Sequence, residues 1–515
     1  MVDKNRGGGE AKRQKISTSL PEVSKGQNGQ FMTPATVAKE MAGMFSMSGF
    51  DQLRLLDPGA GSGSLSAAFL DAYLQSPFRG TKLSIVAYEL DPYLANELSK
   101  FLDEARGMAR ELNRDVDIEI NNNDFILDMA NLLLLEKTGL KELQRFTHVI
   151  MNPPYRKLSS NSKHRKSLSA VGIEANNYYS AFVALAVEFL QDGGELVAIT
   201  PRSFCNGPYF RSFRDFILRN CSFERIHLFE SRQSAFKEDD VLQENIIFKL
   251  IKKIKRNFVQ ISISYGRDFK DVNYRTLPHN RIVFPGDKDN IIHIPANKFD
   301  DHVLERMRLF PLYLEDLNLD VSTGPVVDFR VREHIKNEWE ETDAPLIYPS
   351  HFSNNSIVWP RNGKKPNAIR VNKATRKWLM PNGNYVLIRR FSSKEEPRRI
   401  IPTLFNALEN KYPLIGFENH INVIHSGGNG LNLQLAKGVV CYFASALVDI
   451  YFRQFSGHTQ VNAADLRTLP IPDHSFLLEL AQYYTNPIRT KLIDDFIEKS
   501  LTGISALTSP NPVEL

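Results

Sequence analysis

Asn152-Pro153-Pro154-Tyr155 is the stretch of this chain whose residue types are best suited to chemistry. A carboxamide beside an aromatic ring suits a planar target bearing an exocyclic amine. The amide oxygen and a neighbouring backbone carbonyl accept from the two N–H bonds while the ring stacks on the plane. The two prolines supply rigidity: proline cannot donate to a β-ladder and confines the residue before it to extended geometry, so the pair ends a strand and stiffens the turn. The apolar run Thr147-His148-Val149-Ile150-Met151 immediately upstream supplies that strand. A surface turn with a packed tyrosine would show the same four residues, so the interpretation depends on what precedes them.

Upstream, Leu53 to Gly63 reads as a short strand, a glycine-rich turn and the start of a helix near Ser64. Glycines at 59, 61 and 63 let the backbone turn tightly and approach a ligand. Asp57 closes the strand at the carboxyl edge, where open α/β sheets bind ligands. No Gly-Lys-Ser/Thr follows, which excludes a Walker loop, and the spacing is not the full G-x-G-x-x-G of dinucleotide enzymes. A second strand, Leu83 to Tyr88, ends at Glu89, an acid placed to accept from both hydroxyls of a ribose. A third run, Ile118-Glu119-Ile120, leads to Asn123-Asp124-Phe125, a carboxylate acceptor and an aromatic face for an adenine ring.

In this order the motifs resemble those of S-adenosylmethionine-dependent amino-methyltransferases of DNA, in particular the gamma group of N6-adenine enzymes of type II restriction-modification systems. The resemblance implies that Asp57, Gly59, Gly61 and Gly63 form the cofactor loop and that Glu89 holds the ribose. It further implies that Asp124 and Phe125 contact the cofactor's adenine, and that Asn152, Pro153, Pro154 and Tyr155 form the catalytic motif, Asn152 also lying in the cofactor set. Gly29-Gln30-Phe31-Met32-Thr33-Pro34, followed by an amphipathic helix from Val37 to Phe45, is similar to the family motif that packs over the methionine end of the cofactor. This adds Phe31, Thr33 and Pro34 to the cofactor-binding residues. The position of this motif ahead of the glycine loop, with a large variable region after the catalytic turn, is the gamma order. Many relatives carry Phe after the glycine turn; Ser64-Leu65 stands there in this chain, with Leu65 as the replacement apolar wall.

The expected fold is α/β: a Rossmann-like, seven-stranded methyltransferase sheet, mostly parallel with one antiparallel strand, followed by an α+β target-recognition domain. After the catalytic turn come a helix from Ala181 to Leu190 and a strand from Glu195 to Thr200. The runs Arg225 to Glu230 and Asn245 to Ile251 then form an antiparallel final hairpin. The expected organisation is a disordered basic tail (1–25), a catalytic domain (26–255), a connector (256–310), a recognition domain (311–475) and a C-terminal helical segment (476–515).

Three regions are assigned to DNA. The polar stretch between Tyr155 and Asn176 follows the residues that would meet a base. Its Lys163, Arg165 and Lys166 are expected to contact phosphates and to order on binding, against the ordinary reading of such a run as a solvated loop. Between Arg361 and Arg399 stand twelve Lys/Arg and two Glu, an excess of ten in a chain whose net charge is only +5. Interleaved with Trp378, Asn382, Tyr385 and Phe391, this stretch is expected to face DNA through Arg361, Lys364, Lys365, Arg376, Lys377, Arg389 and Arg390. Finally, Ser456-Gly457-His458-Thr459 resembles the close of a recognition domain, with Ser456 and Thr459 near phosphates; a tight turn capping a helix from Val439 to Arg453 accounts for it equally.

Composition narrows the remainder. With 515 residues and 42% hydrophobic content the chain has length for several domains, and no run approaches the apolar length of a membrane span. The basic N-terminus lacks the apolar centre of a signal peptide, so a bacterial cytoplasmic location is expected. The three cysteines, at 205, 221 and 441, show no Cys-x-x-Cys spacing, so neither a disulfide framework nor a metal is expected. The implied reaction moves a methyl group from S-adenosyl-L-methionine to N6 of adenine in double-stranded DNA, by base flipping and direct attack, leaving S-adenosyl-L-homocysteine. The implied partner is a cognate restriction endonuclease without stable association, the chain itself acting as a monomer. An N4-cytosine enzyme, a protein glutamine methyltransferase and a catalytically silent DNA-specificity protein are the alternatives. Asn rather than Ser at the head of the motif and the long basic C-terminal half weigh against the first two, and the intact motifs against the third. A C5-cytosine enzyme needs a nucleophilic thiol, and none adjoins the motif.

Overall fold

The computed structural model covers residues 33–76, 82–111, 113–229, 244–266, 268–392, 395–408, 412–457 and 459–508. Phe31 and the basic tail therefore lie outside the described residues. The chain divides into two units, Met1–Ala296 and Asn297–Leu515.

The strands of the first unit are β1 (Leu53–Asp57), β2 (Lys82–Tyr88), β3 (Asp115–Asn121), β4 (Phe146–Met151), β5 (Leu190–Pro201), β6 (Cys221–Phe229), β7 (Asn245–Lys252), β8 (Phe258–Ser264) and β9 (Val272–Pro278). They form one sheet in the order β3-β2-β1-β4-β5-β7-β6-β8-β9. The first five strands are parallel throughout, and β7 enters antiparallel between β5 and β6. Its helices are α1 (Ala35–Gly43), α2 (Ser64–Gln75), α3 (Pro92–Glu111), α4 (Phe125–Lys137), α5 (Lys163–Ala170), α6 (Tyr178–Phe189), α7 (Arg211–Asn220) and a short α8 (His279–Ile282). Strands buried on both faces must be apolar on both, and β4 is buried at every position. On one face Val149, Met151, Leu196 and Phe248 join the core under α4, α6 and α7; on the other Leu55, Ile150, Val197 and Ile247 join the core under α1 and α2.

The sheet exceeds the expected seven strands. Phe258 to Ser264 alternates with period two, burying Val259, Ile261 and Ile263, and it pairs parallel to β6 while β9 pairs antiparallel to β8. The composition change near 255 thus falls inside the sheet, and the unit ends at Ala296. Proline-rich sequence starts here because Pro278 closes the edge strand β9, where a missing N–H is tolerated. The stretch after Tyr155 is also more ordered than a solvated loop. It contains α5, whose N-cap Ser162 accepts from the Arg165 amide.

Order of the strands decides where chemistry can occur. Moving out from β1, the chain goes one way to β2 and β3 and the other way to β4 and β5. The carboxyl ends of β1, β2 and β4 consequently flank the point where the order reverses, the usual place for a ligand crevice. Beneath α1, a buried charge cluster ties the loop after that helix to the sheet. The Ser46 amide donates to Glu195 Oε2 (2.8 Å). Lys249 Nζ lies 3.0 Å from Glu195 Oε1 and 2.6 Å from Glu224 Oε2. Burial pushes the His148 imidazole down to about 4, so the neutral ring donates from Nε2 to the Ser46 carbonyl (3.0 Å).

The second unit contains two smaller sheets. One has the order β10-β20-β17-β18-β14-β13 and the other β11-β15-β12-β19-β16. The strands are β10 (Asp320–Thr323), β11 (Ile335–Lys336), β12 (Asp343–Ile347), β13 (Phe352–Ser353), β14 (Ser356–Ile357), β15 (Ala368–Arg370), β16 (Leu379–Pro381), β17 (Tyr385–Arg389), β18 (Pro402–Phe405), β19 (Leu414–Phe417) and β20 (Ile421–His425). Tyr385, Leu387, Phe405, Phe417 and Val423 form one of its cores. The single helix expected from Val439 to Arg453 is two, Leu433–Ala444 and Ala446–Arg453, meeting at 53°. Ser445 between them is extended and its hydroxyl accepts from the Val448 amide, so it stops one helix and caps the next. Among the described residues no single helix is long and apolar enough to cross a membrane.

The charge cluster under α1 yields a prediction. Lys249→Ala leaves Glu195 without its cation in a buried site and should cost about 3–5 kcal/mol of stability, measured by urea denaturation. A loss below about 1 kcal/mol would mean that the cluster behaves like a solvated surface pair.

Candidate functional site

The turn after β4 presents Asn152 with its carboxamide held at both ends. Asn152 Nδ2 donates to Thr33 Oγ1 (3.1 Å) and the Tyr155 hydroxyl donates to Asn152 Oδ1 (2.8 Å). That hydroxyl also lies 3.3 Å from the Ile199 carbonyl at the end of β5. Burial drives the Tyr155 phenol well above its ordinary range, which keeps it a donor. Its ring meets Tyr179 edge-on, with centroids 6.4 Å apart. Pro153 is buried and Pro154 half-buried. Thr33 stands directly before Pro34, whose carbonyl accepts the first bond of α1 from the Ala38 amide (2.9 Å). The anchoring of α1 through Ser46 and Glu195 therefore bears on the orientation of an amide 119 residues from Thr33.

The glycine turn is bracketed by the neighbouring strand. Ala60 N donates to Tyr88 O (2.9 Å), and Gly61 N donates to Glu89 Oε2 (2.8 Å). Glu89 Oε1 accepts from Asp91 N (2.8 Å), and the Glu89 carbonyl accepts from Asn122 Nδ2 (2.7 Å). Glu89 thus pins the tip of the first loop and its own turn through its carboxylate, and the turn after β3 through its carbonyl. Gly61 and Gly63 have left-handed backbones, φ 56° and 86°. A Cβ on Gly63 would lie 2.7 Å from Leu98 Cδ1, so this position excludes a side chain twice over.

Asp57 is fully buried. Its Oδ2 accepts from Ser66 Oγ (2.7 Å), whereas Oδ1 is buried without a hydrogen-bond partner. Burial, opposed by the Ser66 bond, pushes this carboxyl up to about 7. Asp124 caps α4 through Oδ1, which accepts from Leu127 N (3.0 Å), while Oδ2 lies 2.7 Å from His164 Nε2. Phe125 is buried against Phe182, with centroids 4.8 Å apart, and Gly59 abuts the same ring, where a Cβ would lie 3.6 Å from Phe182 Cε1. Leu65 packs in the core beneath α1 with Val37 and Met41.

Two residues at this crevice escaped sequence reasoning. Phe182 was hidden because α6 is apolar all round, so no periodicity marks the ring that faces Gly59. Leu90 is 57% exposed directly beside the otherwise buried Glu89. Its exposure could not be read from the sequence, where a leucine after a strand-ending acid is ordinary.

The residues assigned to DNA separate into distinct groups. On α5, Lys163 and Lys166 are exposed and Arg165 is half-buried. In the second unit Arg361, Lys364, Lys365, Arg376 and Lys377 are exposed, with Lys365 near Asp328 (3.2 Å) and Lys377 over the Trp378 ring. Arg389 pairs with Glu396. Arg390 reaches Gln460 Oε1 (3.2 Å) and the Asn419 carbonyl (3.3 Å). Ser392 N donates to Thr459 O, and Phe391 bridges to Gln460. The exposed Phe391 ring lies 5.0 Å from His420. Arg390, Phe391, His420, Thr459 and Gln460 therefore converge from three separate stretches of sequence.

Ser456 departs from expectation. Its side chain is buried, taking a bond from Arg399, and its amide donates to Phe452 O. The helix-capping turn accounts for it, because a donor spent on the helix end is not available to a phosphate. Arg399 is likewise buried, its amide bonded to Asp449 Oδ1. Part of the basic run is thus structural.

All three cysteines are buried, and burial pushes each thiol up to about 12, so none is a thiolate at neutral pH. Among the described residues no group of three His, Cys, Asp or Glu side chains is placed to hold a metal ion.

A doubly wound sheet with carboxylates at its first two carboxyl ends and a clamped carboxamide at its fourth is the architecture of a methyltransferase. Known proteins agree. The family of Eco57I restriction-modification methylases matches residues 79–236. Type II methyltransferase M.BsuBI of Bacillus subtilis is 45% identical over 89% of this chain and 90% of its own length. Type II methyltransferase M.PstI of Providencia stuartii is 42% identical over 95% of this chain and 96% of its own. A solved structure of the type IIL restriction-modification enzyme MmeI in complex with DNA aligns over 98% of this chain and 76% of its own, at 13% identity and a TM-score of 0.52, a likeness of fold. This chain belongs to the type II restriction-modification methyltransferases.

Burial of Asp57 makes stability depend on pH. The unfolded chain ionises this group near its ordinary value of about 4, the folded protein only near 7. Between those values the folded state binds the extra proton, so stability falls as pH rises from about 4 to about 7 and then levels. Denaturation curves across that window should show a shallower slope for Asp57→Asn. An unchanged slope would place the effect on the other buried acids, Glu89 and Glu195, whose pKa values burial also raises.

Proposed function

We propose that this chain methylates N6 of adenine in double-stranded DNA, using S-adenosyl-L-methionine, as the modification enzyme of a restriction-modification system. The observation that carries this reading is the Asn152 carboxamide, oriented by Thr33 and Tyr155 just past the carboxyl end of β4.

The residues present fit the cofactor. The buried Asp57 Oδ1 lacks a partner, and the turn between β1 and α2 holds Gly61 in the left-handed region. In this reading Glu89 holds the ribose hydroxyls, Asp124 accepts from the adenine amine, and Phe125, Phe182 and Leu90 wall the adenine. Thr33 and Pro34 cover the methionine end. The bound cofactor supplies an electrophilic methyl on its sulfonium. An aromatic amine is a poor nucleophile because its lone pair is delocalised into the ring. Asn152 Oδ1 and the Pro153 carbonyl accept from its two N–H bonds, favour a tetrahedral nitrogen and aim the lone pair. These bonds strengthen as the transition state forms. The Tyr155 donor identifies which end of the amide is oxygen, and its ring stacks the base, which must leave the duplex to be reached.

The exposed cations of α5 and of residues 361–377 neutralise phosphates, and Arg390, Phe391, Thr459 and their neighbours meet the groove. Asn rather than Ser at the head of the motif favours adenine over cytosine. The enzyme acts as a monomer in the bacterial cytoplasm beside a separate endonuclease, releasing S-adenosyl-L-homocysteine.

Single-molecule sequencing of DNA from a methylation-free bacterial host expressing the protein should show N6-methyladenine in one short motif. N4-methylcytosine there would transfer the assignment to the cytosine class, and no modified base would refute DNA as the substrate. Asn152→Ala should lower kcat by about 100- to 1000-fold, the loss of one preorganised transition-state contact. Tyr155→Phe, which keeps the ring but frees the amide, should lose about tenfold.

A further inference from the structure

The stretch between the catalytic turn and α6 places a histidine against the candidate cofactor crevice. We propose that His164 is a positioning residue that presents the Asp124 carboxylate to the adenine amine of the cofactor. This rests on the assignment of Asp124 under the proposed function and adds the element that sets its direction.

His164 lies one residue inside α5, with Nε2 2.7 Å from Asp124 Oδ2 and Nδ1 3.2 Å from the Tyr178 hydroxyl. An ionised carboxylate only accepts, so Nε2 carries the proton, and in the neutral ring Nδ1 then accepts from the Tyr178 O–H. Tyr178 is itself fixed. Its amide donates to the Arg156 carbonyl (2.9 Å), and the Arg156 guanidinium lies over its ring at 4.0 Å. The tether thus runs from the residue after the catalytic tetrapeptide, through Tyr178 and His164, to Asp124.

The two oxygens of Asp124 have different duties. Oδ1 caps α4 by accepting from Leu127 N. Oδ2 is the oxygen that the imidazole holds, and the Asp124 and His164 side chains are 22% and 19% exposed. It is the oxygen placed to meet a ligand, and a carboxylate oxygen can take a second donor beside the imidazole. A purine amine donates to such an oxygen. A purine carbonyl in its place sets two acceptors face to face, which costs more than a missing bond. Asp124 can therefore discriminate only while Oδ2 is held toward the ring, and the imidazole is what holds it.

The test is calorimetric binding of S-adenosylhomocysteine and of its deaminated analogue, S-inosylhomocysteine, to the full chain. Wild type should favour the adenosyl compound by at least about tenfold, the worth of one buried polar contact. His164→Ala should bring the ratio close to one. His164→Gln, which retains an N–H donor, should restore most of it. Tyr178→Phe keeps the ring but loses the hydroxyl, and it should reduce the ratio in part; it serves if the alanine variant fails to fold. A folded His164→Ala or Tyr178→Phe that loses stability while keeping full selectivity overturns the proposal, since the contact would then only pack α5. Asp124→Asn, which preserves a helix-capping oxygen, separates the two levels. If it abolishes selectivity while His164→Ala does not, the positioning role falls and the Asp124 assignment stands. If it changes nothing, the Asp124 assignment falls.

Discussion

The orientation of one carboxamide organises the first unit. A carboxamide accepts from a target only if its oxygen is directed to it, and an unrestrained amide rotates. Three separate devices remove that freedom. The two prolines stiffen the turn, Thr33 takes the Nδ2 end, and the Tyr155 hydroxyl marks the oxygen end. Thr33 is useful only because α1 is held to the sheet. That attachment is made by its apolar face, Val37, Ala38 and Met41, and by the bonds among Ser46, Glu195, Lys249 and His148. A buried cluster of this kind is costly to assemble and adds little net stability. Its value here is geometric, because it determines where a helix N-terminus sits relative to the end of β4.

The carboxylates of the crevice show a second economy. Glu89 accepts from Gly61 and Asp91 and so locks two turns together through one side chain. Asp124 combines helix capping with presentation of its second oxygen. Asp57 is the exception: it is fully buried, with one oxygen unsatisfied and a raised pKa. Unsatisfied buried oxygens are rare in folded proteins, and strain of this sort gathers where a ligand is to be met.

The second unit separates charge from function in a way that counting cannot. Of the basic run, Arg361, Lys364, Lys365, Arg376 and Lys377 stand in solvent, whereas Arg399 is buried and bonded to Asp449 and Ser456. The surface near Arg390 combines an exposed aromatic ring, an imidazole and amide groups, a mixture able to both stack and hydrogen-bond.

Local chemistry was legible in the sequence. Glycine spacing, the acid at each strand end and the double proline declare their conformations within a few residues, so β1, β2 and β4, with Asp57, Glu89 and Asn152 at or just past their ends, could be placed from residue types alone. The period-two run from Phe258 to Ser264 carried its signal as well, but the rising proline content obscured it, and the sheet was expected to stop two strands early. Other features were not local. Nothing near Ser445 in the sequence separates a continuous helix from two, since the break depends on a cap and on what each half packs against. Phe182 could not be told from its apolar neighbours, nor Arg399 from exposed arginines, because burial depends on partners distant in the chain. The bond from Asn152 to Thr33 and the contact of His164 with Asp124 likewise join segments that only the folded sheet brings together. The sequence by itself determined which groups stand at the strand ends. Tertiary structure decided which way those groups point, because direction is set by contacts across the fold.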